Sequence, residues 1–148
     1  MSTKAVRKKI IHEESPGFTT VFEGLKAILL PYAETMRVVH DTPDYYYLDT
    51  TFPVYRGKPA MFAMVKRGKG YVSYHLLPLY MNPSLNSRVS AELKKRKQGK
   101  ACFNFSKPDP KLFAELAELT RLGLDSFKKF AKSEAAADSG KSKSRKRR

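Results

Sequence analysis

The sequence predicts an α+β fold, an antiparallel sheet packed on N- and C-terminal helices in a single domain. Three observations lead there. Apolar residues recur at helical spacing at both ends of the body, through Val21, Phe22, Leu25, Ile28, Leu29 and Tyr32, and again through Leu112, Phe113, Leu116, Leu119, Gly123, Phe127 and Phe130. Between these stripes lie short aromatic and β-branched runs separated by turns rich in glycine and proline. With 148 residues, 41% of them apolar, the chain is long enough to bury one core and too apolar to be disordered throughout.

Residues 1–17 are polar, end on Ser15-Pro16-Gly17, and read as a flexible arm. Thr20 with Glu23 three positions on fits a capping box for the first helix, which Pro31 ends or kinks. Residues 36–40 and 45–48 are short strand candidates around Asp41-Thr42-Pro43-Asp44, a turn sequence. If Tyr45, Tyr46 and Tyr47 lie on a strand, at least one ring faces away from the core. Arg56-Gly57-Lys58-Pro59 is a further turn. Residues 60–66 and 71–77 then flank Arg67-Gly68-Lys69-Gly70 as a hairpin. Its second strand alternates Tyr71, Ser73 and His75 against Val72, Tyr74 and Leu76. Ser90 caps a short basic helix over residues 91–97, with Gly99 at its end. Phe103 and Phe105 alternate with Cys102 and Asn104 on a strand, and Asp109-Pro110 opens the closing helix. The folded domain therefore spans residues 18–131, and the Ala/Ser/Gly/Lys-rich residues 132–148 read as a disordered basic tail.

Charge narrows the class of partner. The chain carries 29 Lys and Arg against 14 Asp and Glu, a formal net charge of +15. The body between arm and tail keeps 18 cations against 10 anions, so the excess is not confined to the termini. Such a field attracts polyanions. No run is long and apolar enough for a spanning helix, and no apolar segment of the export type precedes the first helix, so a cytoplasmic setting without a membrane partner is expected. The single Cys102 excludes a disulfide framework and a multi-cysteine zinc site.

Candidates for anion or nucleic-acid binding are Lys94, Lys95, Arg96, Lys97 and Lys100, together with Lys143, Arg145, Lys146 and Arg147 in the tail. Tyr71, Tyr74, Phe103 and Phe105 on nearby strands could stack on bases, although core packing explains the same rings. Four consecutive cations on a short helix cannot share one face. His40, Asp41, Asp44 and Asp49 combine imidazole and carboxylates of the kind that hold iron, but their spacing matches no tight ligand motif and turn chemistry accounts for the aspartates. His12-Glu13-Glu14 is a weaker set on the arm. Tyr74, His75 and Cys102 mark a candidate pocket. A Cys–His nucleophile needs hydrogen-bond reach and an orienting third group, which nothing local in the sequence supplies. The residues indicate no catalytic site, no metal ligand set and no cofactor.

Gly70-Tyr71-Val72-Ser73-Tyr74-His75-Leu76, then Leu93-Lys94-Lys95-Arg96-Lys97-Gln98-Gly99-Lys100-Ala101-Cys102-Phe103-Asn104-Phe105, and the Leu/Phe-rich final helix resemble the YdhG-like family of bacterial proteins of unknown function, over residues 18–130. The resemblance implies a compact α+β fold similar to frataxin. It also implies an iron-chaperone alternative, since some members are described as frataxin-like iron chaperones. That activity uses an acidic ridge on the first helix and the strand after it. Here the ridge would reduce to Glu23 and Glu34, with Asp41, Asp44 and Asp49 beyond, on a positive body.

Three readings follow in order. The first is a non-enzymatic binding module for an anionic partner, nucleic acid among the candidates, acting through a basic surface. The second is a frataxin-like intracellular iron chaperone. The third is a small-molecule binder or enzyme using a pocket near His75 and Cys102.

Overall fold

The computed structural model describes the backbone of residues 16–146 and the side chains of residues 17–132. In chain order it holds α1 (Pro16–Leu29), a 3-10 turn (Leu30–Tyr32), β1 (Arg37–Thr42), β2 (Tyr45–Asp49), β3 (Met61–Arg67), β4 (Val72–Leu76), α2 (Leu77–Met81), a second 3-10 turn (Pro83–Arg88), α3 (Ala91–Lys94), β5 (Lys97–Gln98), β6 (Cys102–Phe105) and α4 (Pro110–Lys146). The strands form one antiparallel sheet in the order β1-β2-β3-β4-β6-β5. The expected α+β architecture is thus present. No helix among the described residues is long and apolar enough to cross a membrane.

Several local expectations need correction. α1 begins at Pro16, so Thr20 and Glu23 lie inside it and not at its cap. A proline at the first helical position already has the required φ and lacks only an N–H that has no partner there. The basic helix is a single turn: Ser90 accepts from the Leu93 amide at 3.1 Å as expected, but the chain leaves the helix after Lys94, turns at Lys95 and Arg96, and enters β5. Gly99 does not end a helix. It sits at φ +73° in the tight turn joining β5 to β6. Arg56 (φ 55°) and Gly57 (φ 74°) close a small loop in which Tyr55 bridges Lys58, two successive left-handed residues of the type I′ kind. α4 is capped as expected by Asp109, whose carboxylate accepts from the Leu112 amide at 3.1 Å. It runs into the stretch whose composition suggests a tail. The tail cations Lys143, Arg145, Lys146 and Arg147, and most of the expected arm, lie outside the residues whose side chains are described.

One face of the sheet carries the core. Tyr46 and Leu48 of β2, Ala63 and Val65 of β3, Val72, Tyr74 and Leu76 of β4, and Phe103 and Phe105 of β6 are all buried there. They meet Val21, Phe22, Leu25 and Leu29 from α1 and Leu112, Leu116, Leu119 and Phe127 from α4 in one cluster. A bulge tunes the fit. Leu48 pairs with Ala63 and Asp49 with Met61, which leaves Phe62 as the extra residue. Two successive side chains of β3, Phe62 and Ala63, are therefore buried, and the Phe62 ring packs 5.5 Å from Tyr32 and 6.1 Å from Phe127.

Tyr74 crosses the core to Thr120 of α4, oxygen to oxygen at 2.5 Å. The Thr120 hydroxyl donates to the Leu116 carbonyl at 2.7 Å, so the phenol donates to Thr120. Burial pushes the Tyr74 phenol well above its usual range; the Thr120 hydrogen bond pulls it back only in part, and neighbouring Tyr32 raises it further. The sign for stability follows directly. An unfolded chain releases this proton near pH 10 while the fold retains it, so stability falls as pH rises above about 10, by up to about 1.4 kcal/mol per pH unit. Urea denaturation between pH 8 and 11 is expected to give a shallower decline for Tyr74→Phe than for the parent chain. Tyr32, Tyr46 and Tyr47, also raised chiefly by burial, supply the slope that remains. An identical slope in the variant would refute the assignment.

Candidate functional site

The second face of the sheet carries the candidate site. Strand alternation sends Tyr46 into the core and therefore Tyr45 and Tyr47 out of it. Cross-strand register then builds two rows. One runs Thr42, Tyr45, Lys66, Ser73 and Asn104 from β1 to β6. The other runs His40, Tyr47, Met64, His75, Cys102 and Gln98 from β1 to β5. Six strands set about 4.8 Å apart make this track about 24 Å wide. His40, Lys66 and Gln98 are exposed, Tyr45, Tyr47, His75, Cys102 and Asn104 are half-buried, and Ser73 is buried.

At the β1–β2 end the site is aromatic. The His40 and Tyr45 rings stack at 4.5 Å between centroids with 15° between planes, and Tyr47 meets both edge-on, at 5.7 and 5.9 Å. The Lys66 ammonium lies 5.2 Å from the Tyr45 centroid. Its flexible stem can lift the charge away and present it to an anion. Toward β6 the site becomes a hydrogen-bonded chain. Ser73 Oγ donates to Asn104 Oδ1 at 2.7 Å, and Asn104 Nδ2 donates to Gln98 Oε1 at 3.2 Å. These bonds orient the Asn104 amide and engage the Gln98 carbonyl oxygen, and exposed Gln98 keeps its NH2 as a donor.

Cys102 and His75 do meet: Sγ lies 3.3 Å from Nε2, and 3.5 Å from Asn104 Oδ1. Burial raises the thiol pKa, with a Ser73 hydrogen bond offsetting part of the rise. Burial and then the nearby Lys66 charge lower the His75 pKa. Both shifts favour uncharged thiol and imidazole over the thiolate–imidazolium pair that a cysteine nucleophile uses. Tyr74, expected beside them, is on the opposite face. Two hollows, of about 490 and 520 Å3, lie beside the middle of α4, against Met81 and Phe130, and neither is lined by Tyr74, His75 or Cys102.

The basic run is distributed over a one-turn helix, a turn and an edge strand. Lys94 is exposed on α3. Lys97 donates to Asn86 Oδ1, and burial and then Lys94 lower its pKa. Lys95 and Arg96 line a shallow hollow with Glu92, Asp109 and Lys111. Lys100 lies 5.5 Å from the centroid of the Tyr80 ring. These cations therefore border the sheet at its β5 edge, interleaved with acids. Of the expected stacking rings, Tyr74, Phe103 and Phe105 are core residues, and Tyr71 is 44% exposed at the hairpin. The rings on the open face are His40, Tyr45 and Tyr47. The tyrosine run signalled them, but only the register could join His40 and Lys66 to them.

The candidate iron ligands separate. His40 stacks on Tyr45, Asp41 pairs with Lys26 of α1 at 3.1 Å, and Asp44 lies 3.9 Å from Arg67. Asp49 pairs in register with Arg37. Among the described residues, no group of three or more His, Cys, Asp or Glu side chains gathers to hold a metal ion.

The fold and this face define an antiparallel sheet that presents rings, amides and a lysine on the side away from the described helices. Comparison of the chain with protein-family models, curated proteins and solved structures gives no match.

Proposed function

We propose that the protein, a relative of the YdhG-like proteins by the motifs quoted above, is a non-enzymatic cytoplasmic binding module whose anionic partner is single-stranded nucleic acid laid across the open sheet face. The observation that carries this reading is the His40–Tyr45–Tyr47 cluster beside Lys66, continuous with the Ser73–Asn104–Gln98 hydrogen-bonded chain. Rings on a strand face can stack only on bases that are not already stacked in a duplex. Lys66 supplies a charge for the adjacent phosphate, and the amides meet base edges or sugar hydroxyls. The cations on the β5 edge and the +8 body draw the strand in at long range.

The test is the salt dependence of binding to a labelled single-stranded oligonucleotide. Each neutralised phosphate steepens the log–log slope by about 0.7 on a single strand, so about four contacts give a slope near −3. Lys66→Gln is expected to reduce the slope by about 0.7. Affinity that stays flat in salt, or that is equal for duplex and single strand, would overturn the proposal.

A further inference from the structure

We propose that Cys102, His75 and Met64 form a Cu(I) site within the same sheet face, an assignment that does not rest on nucleic-acid binding. The three residues occupy adjacent positions on adjacent strands: Met64 is the register partner of His75, and His75 of Cys102. All three are half-buried and share the face opposite the core. Cys102 Sγ and His75 Nε2 are 3.3 Å apart. A metal bonded to sulfur at about 2.3 Å and to imidazole nitrogen at about 2.0 Å, at a tetrahedral angle, holds those atoms about 3.5 Å apart. The pair is thus within a few tenths of an ångström of a ligating geometry without backbone movement. Met64, on the strand across His75 from Cys102 and on the same face, is the third donor in this assignment, giving two sulfurs and one nitrogen.

Donor softness selects the metal. Thiolate and thioether with one imidazole favour Cu(I), whereas hard cations favour oxygen. Charge selects it again. One thiolate and one monovalent ion give a neutral centre, which a half-buried site tolerates, while a divalent ion would leave a net positive charge there. Binding replaces the thiol proton with the metal and releases that proton to solvent, with no change of oxidation state.

The experiment uses the reduced, metal-free full chain, titrated with Cu(I) under anaerobic conditions in competition with a chromogenic Cu(I) chelator. One equivalent is expected to bind. Cys102→Ser and His75→Gln should each weaken it more than about 100-fold, beyond the 10–100-fold typical of losing an outer-shell partner. Met64→Leu, which keeps the volume, should weaken it about tenfold. Circular dichroism of each variant separates lost ligation from lost fold. Copper uptake that Cys102→Ser leaves unchanged would place the ion elsewhere on the chain and overturn the site. Failure to take copper from the chelator, or displacement of Cu(I) by equimolar Zn(II), would overturn it too.

Discussion

Replacing Phe127 by alanine is expected to destabilise the fold by about 3–5 kcal/mol, a large part of the 5–15 kcal/mol that holds a domain of this kind together. Phe127 is fully buried, and its ring packs 6.1 Å from Phe62, the bulged residue that β3 turns inward. Phe62 in turn packs 5.5 Å from Tyr32 in the 3-10 turn that follows α1. The one ring therefore joins the closing helix, the sheet and the turn after the first helix, and its removal leaves a cavity that three separate elements would have to collapse to fill. Urea denaturation measures the loss. Phe130→Ala, at a half-buried position three residues on, is the matched control and should cost clearly less. A loss of under about 1 kcal/mol at Phe127 would show that α4 is not docked as described.

The second large effect is on binding. Tyr45→Ala and Tyr47→Ala should each reduce affinity for a single-stranded oligonucleotide by about 1–3 kcal/mol, roughly 5- to 150-fold, if each ring stacks on one base. Their thermal stability should change little, because both rings lie on the open face. Tyr46→Ala should do the reverse in kind. Its ring is 2% exposed and belongs to the core, so the variant loses stability first. Fluorescence anisotropy with calorimetric melting separates the two patterns. Unchanged affinity in the Tyr45/Tyr47 double variant would remove the rings from the proposed interface.

The contrast among three consecutive tyrosines also explains what could be read from the sequence. Alternation is a backbone property, so Phe103 and Phe105 could be assigned to one face and Cys102 and Asn104 to the other without coordinates, as could Val72, Tyr74 and Leu76 against Ser73 and His75. The Asp109 and Ser90 caps were legible because capping is local. What was not legible depends on register between strands distant in sequence. His40 joins Tyr45 and Tyr47, and Lys66 joins Tyr45, only through the β1–β2 and β2–β3 pairings, the first with an irregularity between Val38 and His40. The basic run misled for a related reason. Helix propensity favoured residues 91–97 as one helix, but pairing of Lys97 and Gln98 with Phe103 and Cys102 draws the end of that run into the sheet.

The two margins of the sheet have a consequence for how copies of this chain meet. A strand left without a neighbour offers its free amides and carbonyls to any other molecule and so invites fibrous growth. Among the described residues one margin, β1, interrupts its ladder at Val39, and the other, β5, is only two residues long. A newcomer would find an interrupted template on one side and almost none on the other. Crowded solutions of the protein should therefore resist the runaway stacking to which long, flat margins are prone.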